Sequence, residues 1–427
     1  MKMMINCVYN VCCRCGHRKE VMLMMILHSD ANCFYASVEM VENPDLRNQR
    51  IAVCGDPEQR HGIVLTANYP AKRMGVKTGM ANWQAMQACP GLVKVKPHYD
   101  LYLKYSKLLQ RIYKRYSDNV EPFGMDECWI SLPYDEDDAE EIRQTVKDET
   151  GLTVSIGASF SKALAKLGSD MKKPDALTVL RKSDFKEKCW DLPVSDLLYV
   201  GPRTTKKLNN IAITTIGLLA NAPSDIIARK FGKNGLMVQA FANGTDCSAV
   251  APVDYSPAPK SIGHGATCTR DLEDNYSVWL ALDELAQDVS HRMIASECKT
   301  KAVHLYVKDN SFMYHEYVAP IHYPTQSAAI IAQAAYELFL LYYRWEKPVR
   351  ALTITASKLQ DEEAPDQLDM FGDYLIFDKR NRLDRAIDDI RNRFGKDAIY
   401  SACHCRRRTD LATDKCETVK MPGVMYH

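Results

Sequence analysis

The segment MMILHSDANCFYASVE, residues 24–39, carries the clearest structural signal in this chain. Its first part is a short apolar run that ends in the carboxylate of Asp30, as a buried strand does when it delivers a side chain to a site. Its second part predicts a helix, because Phe34, Val38 and the following Val41 recur on one helical face. We therefore expect Asp30 where a core strand ends, just before a helix begins.

A second strand carries acidic residues at its start. MDECWISL, residues 125–132, is predicted as a strand, and Asp126 and Glu127 stand near its beginning. Carboxylates from distant parts of a chain that meet at strand ends are what a two-metal site requires, because Mg²⁺ prefers oxygen ligands in octahedral geometry. Spacing alone leaves another interpretation open, in which these carboxylates are solvated surface groups.

The remaining pattern predicts two differently built halves. In the first half we expect strands at 51–56, 62–68 and 152–159 and helices at 100–118, 135–149 and 161–173. Short helices then fill 192–223, and a Pro-containing linker follows. Beyond the linker the predicted order is strand, helix, strand, strand, helix, strand, at 261–270, 277–295, 301–309, 312–321, 326–343 and 349–357. This order favours a four-stranded sheet with two helices on one face, followed by a last helix at 378–394.

Composition excludes several classes of protein. Of the 427 residues, 46% are hydrophobic and 26% charged, as in an ordinary folded protein and unlike a disordered one. No run approaches the ~18 apolar residues of a membrane span, so no membrane association is expected. Lysine and arginine total 55 against 54 acidic residues, which argues neither for nor against a polyanionic partner. The 15 cysteines are scattered along the chain, which favours a reduced, cytoplasmic protein.

The first 23 residues differ from the rest and contain a cluster of possible zinc ligands: Cys7, Cys12, Cys13, Cys15 and His17. A structural zinc site normally needs a second ligand pair at a set distance, and none follows in the sequence. RKEV, just upstream of Met22, Met24 and Met25, can be encoded by a purine-rich run like a ribosome-binding site. The better interpretation is that the true start is one of these methionines and that the cluster binds no metal.

Four motifs in this order resemble the Y-family, or UmuC/DinB-type, translesion DNA polymerases, and more closely the UmuC-like branch: HSDANCFYASVE (28–39), VLTANYPAKRMGVKTGM (64–80), MDECWISL (125–132) and SIGASFSKALAKLGSDMKKPDAL (155–177). The resemblance runs from about Met24 to Lys396. It implies an α+β right-hand fold with palm, small fingers, helical thumb and little finger. The implied bounds are palm 24–33 and 99–188, fingers 34–98, thumb 189–253, linker 254–260, little finger 261–357, clamp-binding segment and C-terminal helix 358–405, and disordered tail 406–427.

The resemblance also implies which residues hold metal. Asp30 and Asp126 would ligate two Mg²⁺ ions, for which Mn²⁺ could substitute, and the backbone carbonyl of Ala31 would complete one shell. Glu127 would ligate the ion at the primer 3′-hydroxyl and is the residue that such families treat as catalytic. Phosphoryl transfer depends mostly on positioning and on neutralisation of spread negative charge, so this set of ligands suits the reaction.

The incoming nucleotide would meet aromatic and basic residues. Tyr35 stands at the steric-gate position, where its ring fills the space that a ribose 2′-hydroxyl would need, and Phe34 would pack beneath the sugar. The residues that would hold the triphosphate are Thr66, Tyr69, Lys72 and Lys162. Without the resemblance, the aromatic residues would be taken as core and Lys162 as part of a solvated helix face.

Three positions depart from the common pattern of the family. Asn32 stands where many members have a second Asp, and UmuC-like members also have Asn there; Gly124 replaces the small hydroxyl residue two positions before Asp126. Lys72 replaces an Arg, which exchanges a bidentate fork for a point charge. No metal ligand is lost, so these changes concern catalytic efficiency more than catalytic identity.

YVGPRTTKKL, residues 199–208, resembles the hairpin of a helix-hairpin-helix. Backbone N–H groups at such a turn bind a DNA phosphate without reading sequence. The DNA-binding residues implied here are Gly201, Arg203, Lys206 and Lys207. Taken alone, Gly-Pro between short helices is more often a simple turn, but its place after the palm motifs favours the DNA-binding interpretation.

QLDMF, residues 367–371, resembles the peptide by which bacterial polymerases dock on the sliding clamp. Leu368, Met370 and Phe371 would enter one apolar groove while Gln367 makes a polar contact. The motif follows the predicted little finger inside a polar segment, and it points to a bacterial or phage source.

The function that this resemblance implies is template-directed, error-prone addition of deoxynucleotides to a primer 3′ end by a monomeric enzyme bound to primer-template DNA and tethered to the sliding clamp. Two alternatives remain at this point. A catalytically inert clamp- and DNA-binding scaffold would require a lost carboxylate, and a two-metal nuclease would require further acidic ligands and a water-activating base. All three carboxylates are present, which disfavours the scaffold, and a nuclease has no use for the steric-gate aromatic pair.

Overall fold

A computed structural model describes residues 24–56, 62–133, 135–255, 257–365, 374–395 and 398–404. By its internal contacts the described chain divides into two units. The first unit contains residues 24–47 and 98–255, and the second contains the rest.

The described residues contain twelve strands and thirteen α-helices. The strands are β1 (Met24–Ala31), β2 (Ile51–Cys54), β3 (Val64–Ala67), β4 (Val93–Val95), β5 (Val120–Pro122), β6 (Glu127–Pro133), β7 (Val154–Ser159), β8 (Leu177–Leu180), β9 (Ser261–Leu272), β10 (Cys298–Asp309), β11 (Tyr314–Thr325) and β12 (Val349–Asp361). The helices are α1 (Phe34–Glu42), α2 (Tyr69–Arg73), α3 (Asn82–Ala88), α4 (Tyr99–Tyr113), α5 (Glu136–Thr150), α6 (Lys162–Met171), α7 (Phe185–Cys189), α8 (Pro202–Asn209), α9 (Ile216–Asn221), α10 (Ser224–Ala242), α11 (Asn275–Ile294), α12 (Ala328–Tyr342) and α13 (Tyr374–Phe394).

The first unit is built on a five-stranded sheet in the order β5-β6-β1-β7-β8. All neighbours are antiparallel except β7 and β8, which matches the expected antiparallel-rich palm. Successive residues of β1 face opposite sides of the sheet. The Ser29 hydroxyl lies 2.8 Å from the Tyr113 hydroxyl of α4, and His28 Nδ1 lies 2.8 Å from the Ser169 hydroxyl of α6. The sheet is therefore covered on both faces.

One glycine allows α6 to approach the sheet closely. Gly157 of β7 pairs in register with His28 of β1. A Cβ at Gly157 would lie 1.9 Å from the carbonyl oxygen of Ala165 and 2.4 Å from the amide nitrogen of Ser169, both on α6. Only a residue without a side chain fits at this crossing, and the helix that carries several basic residues is thereby held against β1 and β7.

Short helices follow the sheet in the first unit. α7, α9 and α10 share an apolar core with the buried face of α6, centred on residues such as Leu164, Phe185, Ile216 and Ile227. The sequence predicts short helices at 192–223, and the structure has α8 and α9 there, whereas the following α10 has 19 residues. Helices as short as α8 and α9 are not stable alone, so they pack against their neighbours.

The second unit contains two sheets. A three-stranded sheet has the order β3-β2-β4, and a four-stranded antiparallel sheet has the order β11-β10-β12-β9. Helices α11 and α12 cover one face of the larger sheet, and their apolar residues join the strands in a core that includes Leu282, Phe339 and Leu352. The predicted β-α-β-β-α-β order is confirmed, and the helices and sheets of both units confirm the α+β class.

Element ends differ from the sequence prediction in a few places. Helix α4 ends at Tyr113 and not at 118, and β12 continues to Asp361 beyond the predicted 357. β6 begins at Glu127, so Asp126 lies in the turn just before it. Among the described residues, no helix is both long and apolar enough to cross a membrane. The implied domain bounds stay predictions, and the tail from 406 lies outside the described residues.

Candidate polymerase active site

Three carboxylates meet where β1 ends and β6 begins. Asp30 pairs in register with Glu127, and the Ala31 amide donates a 3.0 Å hydrogen bond to the Asp126 carbonyl. The two predicted strands are therefore direct neighbours, and their acidic ends are adjacent. The sequence predicted this meeting, because carboxylates that end core strands of one sheet come together at its edge.

The site concentrates more negative charge than its surroundings neutralise. Burial, together with the neighbouring Asp30 and Glu127 charges, raises the pKa of Asp126 to about 7. Burial also raises the pKa of Asp30, although Lys173 opposes this change. Carboxylates that repel one another in a buried place are stabilised by a hard divalent cation with oxygen ligands. The residues present therefore fit Mg²⁺ or Mn²⁺.

Two lysines for which no role was predicted form ion pairs with these carboxylates. Lys173 Nζ is 2.7 Å from Asp30 Oδ2, and Lys166 Nζ is 3.0 Å from Glu127 Oε1. Asp30 and Glu127 are turned towards these lysines, and the ligand oxygens of the three carboxylates do not all lie within 4.8 Å of one another. Both lysines belong to the quoted motif at 155–177, but nothing in the linear pattern distinguishes them from its other basic residues.

Lys162, which the resemblance assigns to the triphosphate, is paired with another side chain of the protein in this structure. Its ammonium lies 2.6 Å from Glu121 Oε1 and 4.4 Å from the centre of the Trp129 ring. The side chain is only 14% exposed, so this pairing with Glu121 occupies its charge within the protein. Lys166, one turn further along α6, and Lys173, just beyond the end of that helix, are the basic groups that contact the carboxylates.

His28 supports Glu127 from within the core. The ring is buried, and Nε2 lies 3.4 Å from Glu127 Oε2. Burial lowers the pKa of His28, which keeps the imidazole neutral near pH 7. Burial by itself would raise the pKa of Glu127, but contact with His28 and the charge of Lys166 outweigh it and lower this pKa to about 2. Glu127 is therefore held ionised.

Tyr35 belongs to an aromatic cluster beside the carboxylates. Its ring stacks on Tyr102 with centroids 4.2 Å apart and meets the edge of Tyr99 at 6.1 Å. The Tyr35 hydroxyl points to Met125 Sδ at 3.4 Å, one residue before Asp126. Phe34 is buried next to Tyr35, with ring centroids 5.7 Å apart. No sequence pattern singled out Tyr99 or Tyr102, which come from the distant helix α4.

The remaining predicted triphosphate residues lie in the second unit. Thr66 is on β3 opposite Val53, and Tyr69 and Lys72 are on the short helix α2. The Asn68 side chain caps that helix by accepting a hydrogen bond from the Ala71 amide. Lys72 Nζ lies 5.4 Å from the centre of the Tyr69 ring, so these two residues act as one basic and aromatic pair.

The predicted DNA-binding turn is an exposed helix start. Gly201 is the N-terminal cap of α8, and Arg203, Lys206 and Lys207 are exposed on the same helix. A Cβ on Gly201 would meet nothing within 4 Å in the protein. Packing within the described chain therefore does not require glycine here.

The departures from the family pattern have structural roles. Asn32 Nδ2 donates to the Ser155 hydroxyl at 2.9 Å, and its carbonyl oxygen accepts from the Asp175 amide at 2.8 Å. Gly124 has φ of +88°, a conformation that favours glycine. The clamp motif (Gln367, Leu368, Met370 and Phe371) and the N-terminal cysteine cluster lie outside the described residues.

Comparison with known families gives two matches. Residues 29–170 match the impB/mucB/samB family, and residues 259–370 match the C-terminal domain of that family. The two matches include the palm carboxylates and the four-stranded sheet of the second unit.

Individual relatives are similar in sequence to this chain over nearly its whole length. A protein of Acetivibrio thermocellus named DNA polymerase IV is 46% identical over 381 residues, which are 88% of this chain and 96% of the relative. DNA polymerase IV 1 of Bacillus subtilis is 36% identical over 411 residues, which are 94% of this chain and 96% of the relative. The solved structure of a Y-family DNA polymerase chimera is similar in fold, with a TM-score of 0.70 at 20% identity, covering 78% of this chain and 98% of the chimera.

These relatives correct one expectation. Closer kinship with the UmuC-like branch is not supported, because the relatives carry the name DNA polymerase IV. Asn32, which suggested that branch, has a local role in tying β1 to β7 and to the turn at Asp175. The chain belongs to the impB/mucB/samB family, and it is a DNA-directed DNA polymerase of the translesion Y-family.

Proposed function

We propose that the chain adds deoxynucleotides to a primer 3′ end by two-metal phosphoryl transfer at Asp30, Asp126 and Glu127. The observation that carries this proposal is the adjacency of the three carboxylates at the ends of β1 and β6, where mutual repulsion and burial raise the pKa of Asp126 to about 7. Such a group of negative charges is unfavourable without a cation. A metal-dependent nucleotidyl transfer uses divalent cations at such a site.

Asp30, Asp126, Glu127 and the Ala31 carbonyl would hold the two Mg²⁺ ions. When bound, the ions activate the primer hydroxyl and neutralise the triphosphate and leaving group. The protein positions these ligands: register pairing fixes Asp30 against Glu127, and His28 and Lys166 keep Glu127 ionised. Mn²⁺ would serve the same ligands, because it accepts the same oxygen donors.

The nucleotide would be held by side chains on several elements. Tyr35, stacked on Tyr102, is the candidate steric gate, with Phe34 beneath the sugar. For the triphosphate we propose Thr66, Tyr69 and Lys72 together with Lys173, whose partly exposed ammonium pairs with Asp30 and Asp170. Lys173 replaces Lys162 in this role, since Lys162 is paired with Glu121.

Primer-template DNA would be gripped without reading its sequence. The exposed start of α8 offers backbone amides and the charges of Arg203, Lys206 and Lys207 to a phosphate. Tethering to the sliding clamp would use Gln367, Leu368, Met370 and Phe371. We also propose that the chain is monomeric and cytoplasmic and that it copies past damaged template bases, as the resemblance to translesion polymerases implies. No observation favours the inert scaffold or the nuclease.

Primer extension with conservative variants tests the metal-site proposal. Asp126→Asn and Glu127→Gln each remove one ligand charge with little change of shape, so extension should fall by about a thousandfold or more, the equivalent of several kcal/mol. Binding of a primer-template duplex, measured by fluorescence anisotropy, should stay within a few fold. Asp191→Asn, at an exposed position of the same unit, is the matched control. Full activity of either site variant would contradict the proposal, and so would extension that survives removal of divalent ions by EDTA.

A further inference from the structure

A second group of possible metal ligands lies far along the chain from the palm carboxylates. Asp283 of α11 meets Cys403 and His404 of the 3-10 turn Ala402–His404. One ligand atom from each of the three side chains lies within 4.8 Å of the other two. His404 Nε2 is 2.8 Å from Asp283 Oδ2, and these two side chains are only 14% and 10% exposed. Among the described residues this is the one such group of three.

The donor atoms indicate the class of metal. A thiol sulfur, an imidazole nitrogen and a carboxylate oxygen are the ligands of zinc, with bonds of about 2.0–2.3 Å and tetrahedral geometry. These bond lengths place neighbouring ligands roughly 3.3–3.8 Å apart, so closing the group around one ion needs side-chain movements of about 1 Å. Mg²⁺ and Ca²⁺ are disfavoured, because they require several oxygen ligands and Asp283 is the sole carboxylate of the group.

The group is already oriented by its neighbours. Gln287 Nε2, one turn further along α11, donates to Asp283 Oδ2 at 2.7 Å, and Arg391 donates in turn to Gln287 Oε1 at 2.7 Å. Second contacts of this kind fix metal ligands in known sites. The turn is held independently of the three side chains: Arg391 also donates to the Ile399 carbonyl at 2.9 Å, and the Tyr276 hydroxyl donates to the Cys403 carbonyl at 3.3 Å.

We propose that Asp283, Cys403 and His404 form a zinc site in which a water completes four ligands. The thiol gives up its proton on binding, and the hydrogen bond between His404 and Asp283 is replaced by bonds from both to the ion. The ion would fasten the C-terminal turn to α11, across 121 residues of sequence. This site is separate from the polymerase chemistry and does not depend on the proposed function.

Zinc binding by the full chain tests the site. The protein is first stripped with a chelator and dialysed, then titrated with Zn²⁺ in competition with a chromogenic chelator, and bound metal is counted by mass spectrometry. We expect one zinc per chain, with affinity reduced at least about tenfold in Cys403→Ser, His404→Ala and Asp283→Asn. Co²⁺ in place of Zn²⁺ should give a thiolate-to-cobalt charge-transfer band that Cys403→Ser removes.

Two controls separate this site from other cysteines. Cys247→Ser, at an exposed free cysteine, should bind zinc like the parent chain. A full chain with Cys12→Ser and Cys15→Ser should also retain zinc, because the N-terminal cluster is not expected to bind it. Zinc lost in that double variant but kept in Cys403→Ser would overturn the proposal. The absence of stoichiometric zinc in the parent chain, or a loss confined to Cys405→Ser, would overturn it as well.

Discussion

The ring of Tyr102 lies parallel to the ring of Tyr35, with centroids 4.2 Å apart and an angle of 13° between their planes. Tyr102 is fully buried, and its hydroxyl donates a short hydrogen bond to the Glu39 carboxylate. A side chain that is only partly buried, Tyr35, is thus backed by one that cannot move without disturbing the core. The position of the candidate steric gate is therefore set from α4, more than 60 residues along the chain.

Sugar selection should depend on both rings. Tyr35→Ala opens the space beside the sugar, so the ratio of ribonucleotide to deoxynucleotide incorporation should rise by about a hundredfold or more, the loss of a steric barrier of ~3 kcal/mol. Tyr102→Ala should raise it by a smaller factor, since Tyr35 is still present but unsupported. Tyr102→Phe keeps the stack and is the matched control. Single-nucleotide kinetics give the ratio, and an unchanged ratio in Tyr35→Ala would show that another side chain is the gate.

The two basic positions on and after α6 should respond differently. Lys173→Ala removes the ammonium that lies 2.7 Å from Asp30. Because we propose that this ammonium contacts the triphosphate, the KM for the nucleotide should rise about tenfold or more. Lys162→Ala removes the ammonium that pairs with the Glu121 carboxylate, so it should mainly lower the thermal midpoint. Steady-state extension and thermal unfolding of both variants measure this. A larger rise in KM for Lys162→Ala than for Lys173→Ala would restore the role that the sequence assigned to Lys162.

The crossing of α6 and β7 should tolerate no side chain. In Gly157→Ala the added Cβ meets the backbone of Ala165 and Ser169, so the free energy of unfolding should fall by about 1–3 kcal/mol or more. Extension should also weaken, because α6 carries Lys166 to Glu127. Gly201→Ala is the matched control, since its Cβ meets nothing in the protein, and it should leave the unfolding midpoint unchanged. Equal midpoints for both variants would mean that α6 can shift without cost.

The clamp motif distinguishes a docking peptide from a buried segment. If Leu368 and Phe371 are an exposed docking peptide, changing both to Ala should leave the thermal midpoint unchanged and abolish clamp-stimulated synthesis on long templates, because tethering acts through effective concentration. Synthesis on short DNA should survive. If they were core residues, the double change would instead cost ~2–5 kcal/mol per residue. A large fall in midpoint with clamp stimulation retained would refute the docking interpretation.

The sequence predicted the carboxylates better than the lysines. Asp30, Asp126 and Glu127 stand at the ends of apolar runs, and strand ends in one sheet bring such residues together. Lys162, Lys166 and Lys173 occupy one basic segment with no pattern to separate them. Which ammonium reaches a carboxylate depends on the angle of α6 to the sheet and on the turn after it, and neither is encoded in local periodicity.

Local sequence patterns predict the order of strands and helices, the β-α-β-β-α-β arrangement and the acidic strand ends, because hydrophobic periodicity and turn residues act locally. The support of Tyr35 by Tyr102, the need for glycine at 157 and the contact of Asp283 with His404 are visible only in three dimensions. Each of these relationships joins residues far apart in the chain. Contacts of this kind arise from the packing of whole elements in three dimensions, which no local pattern specifies.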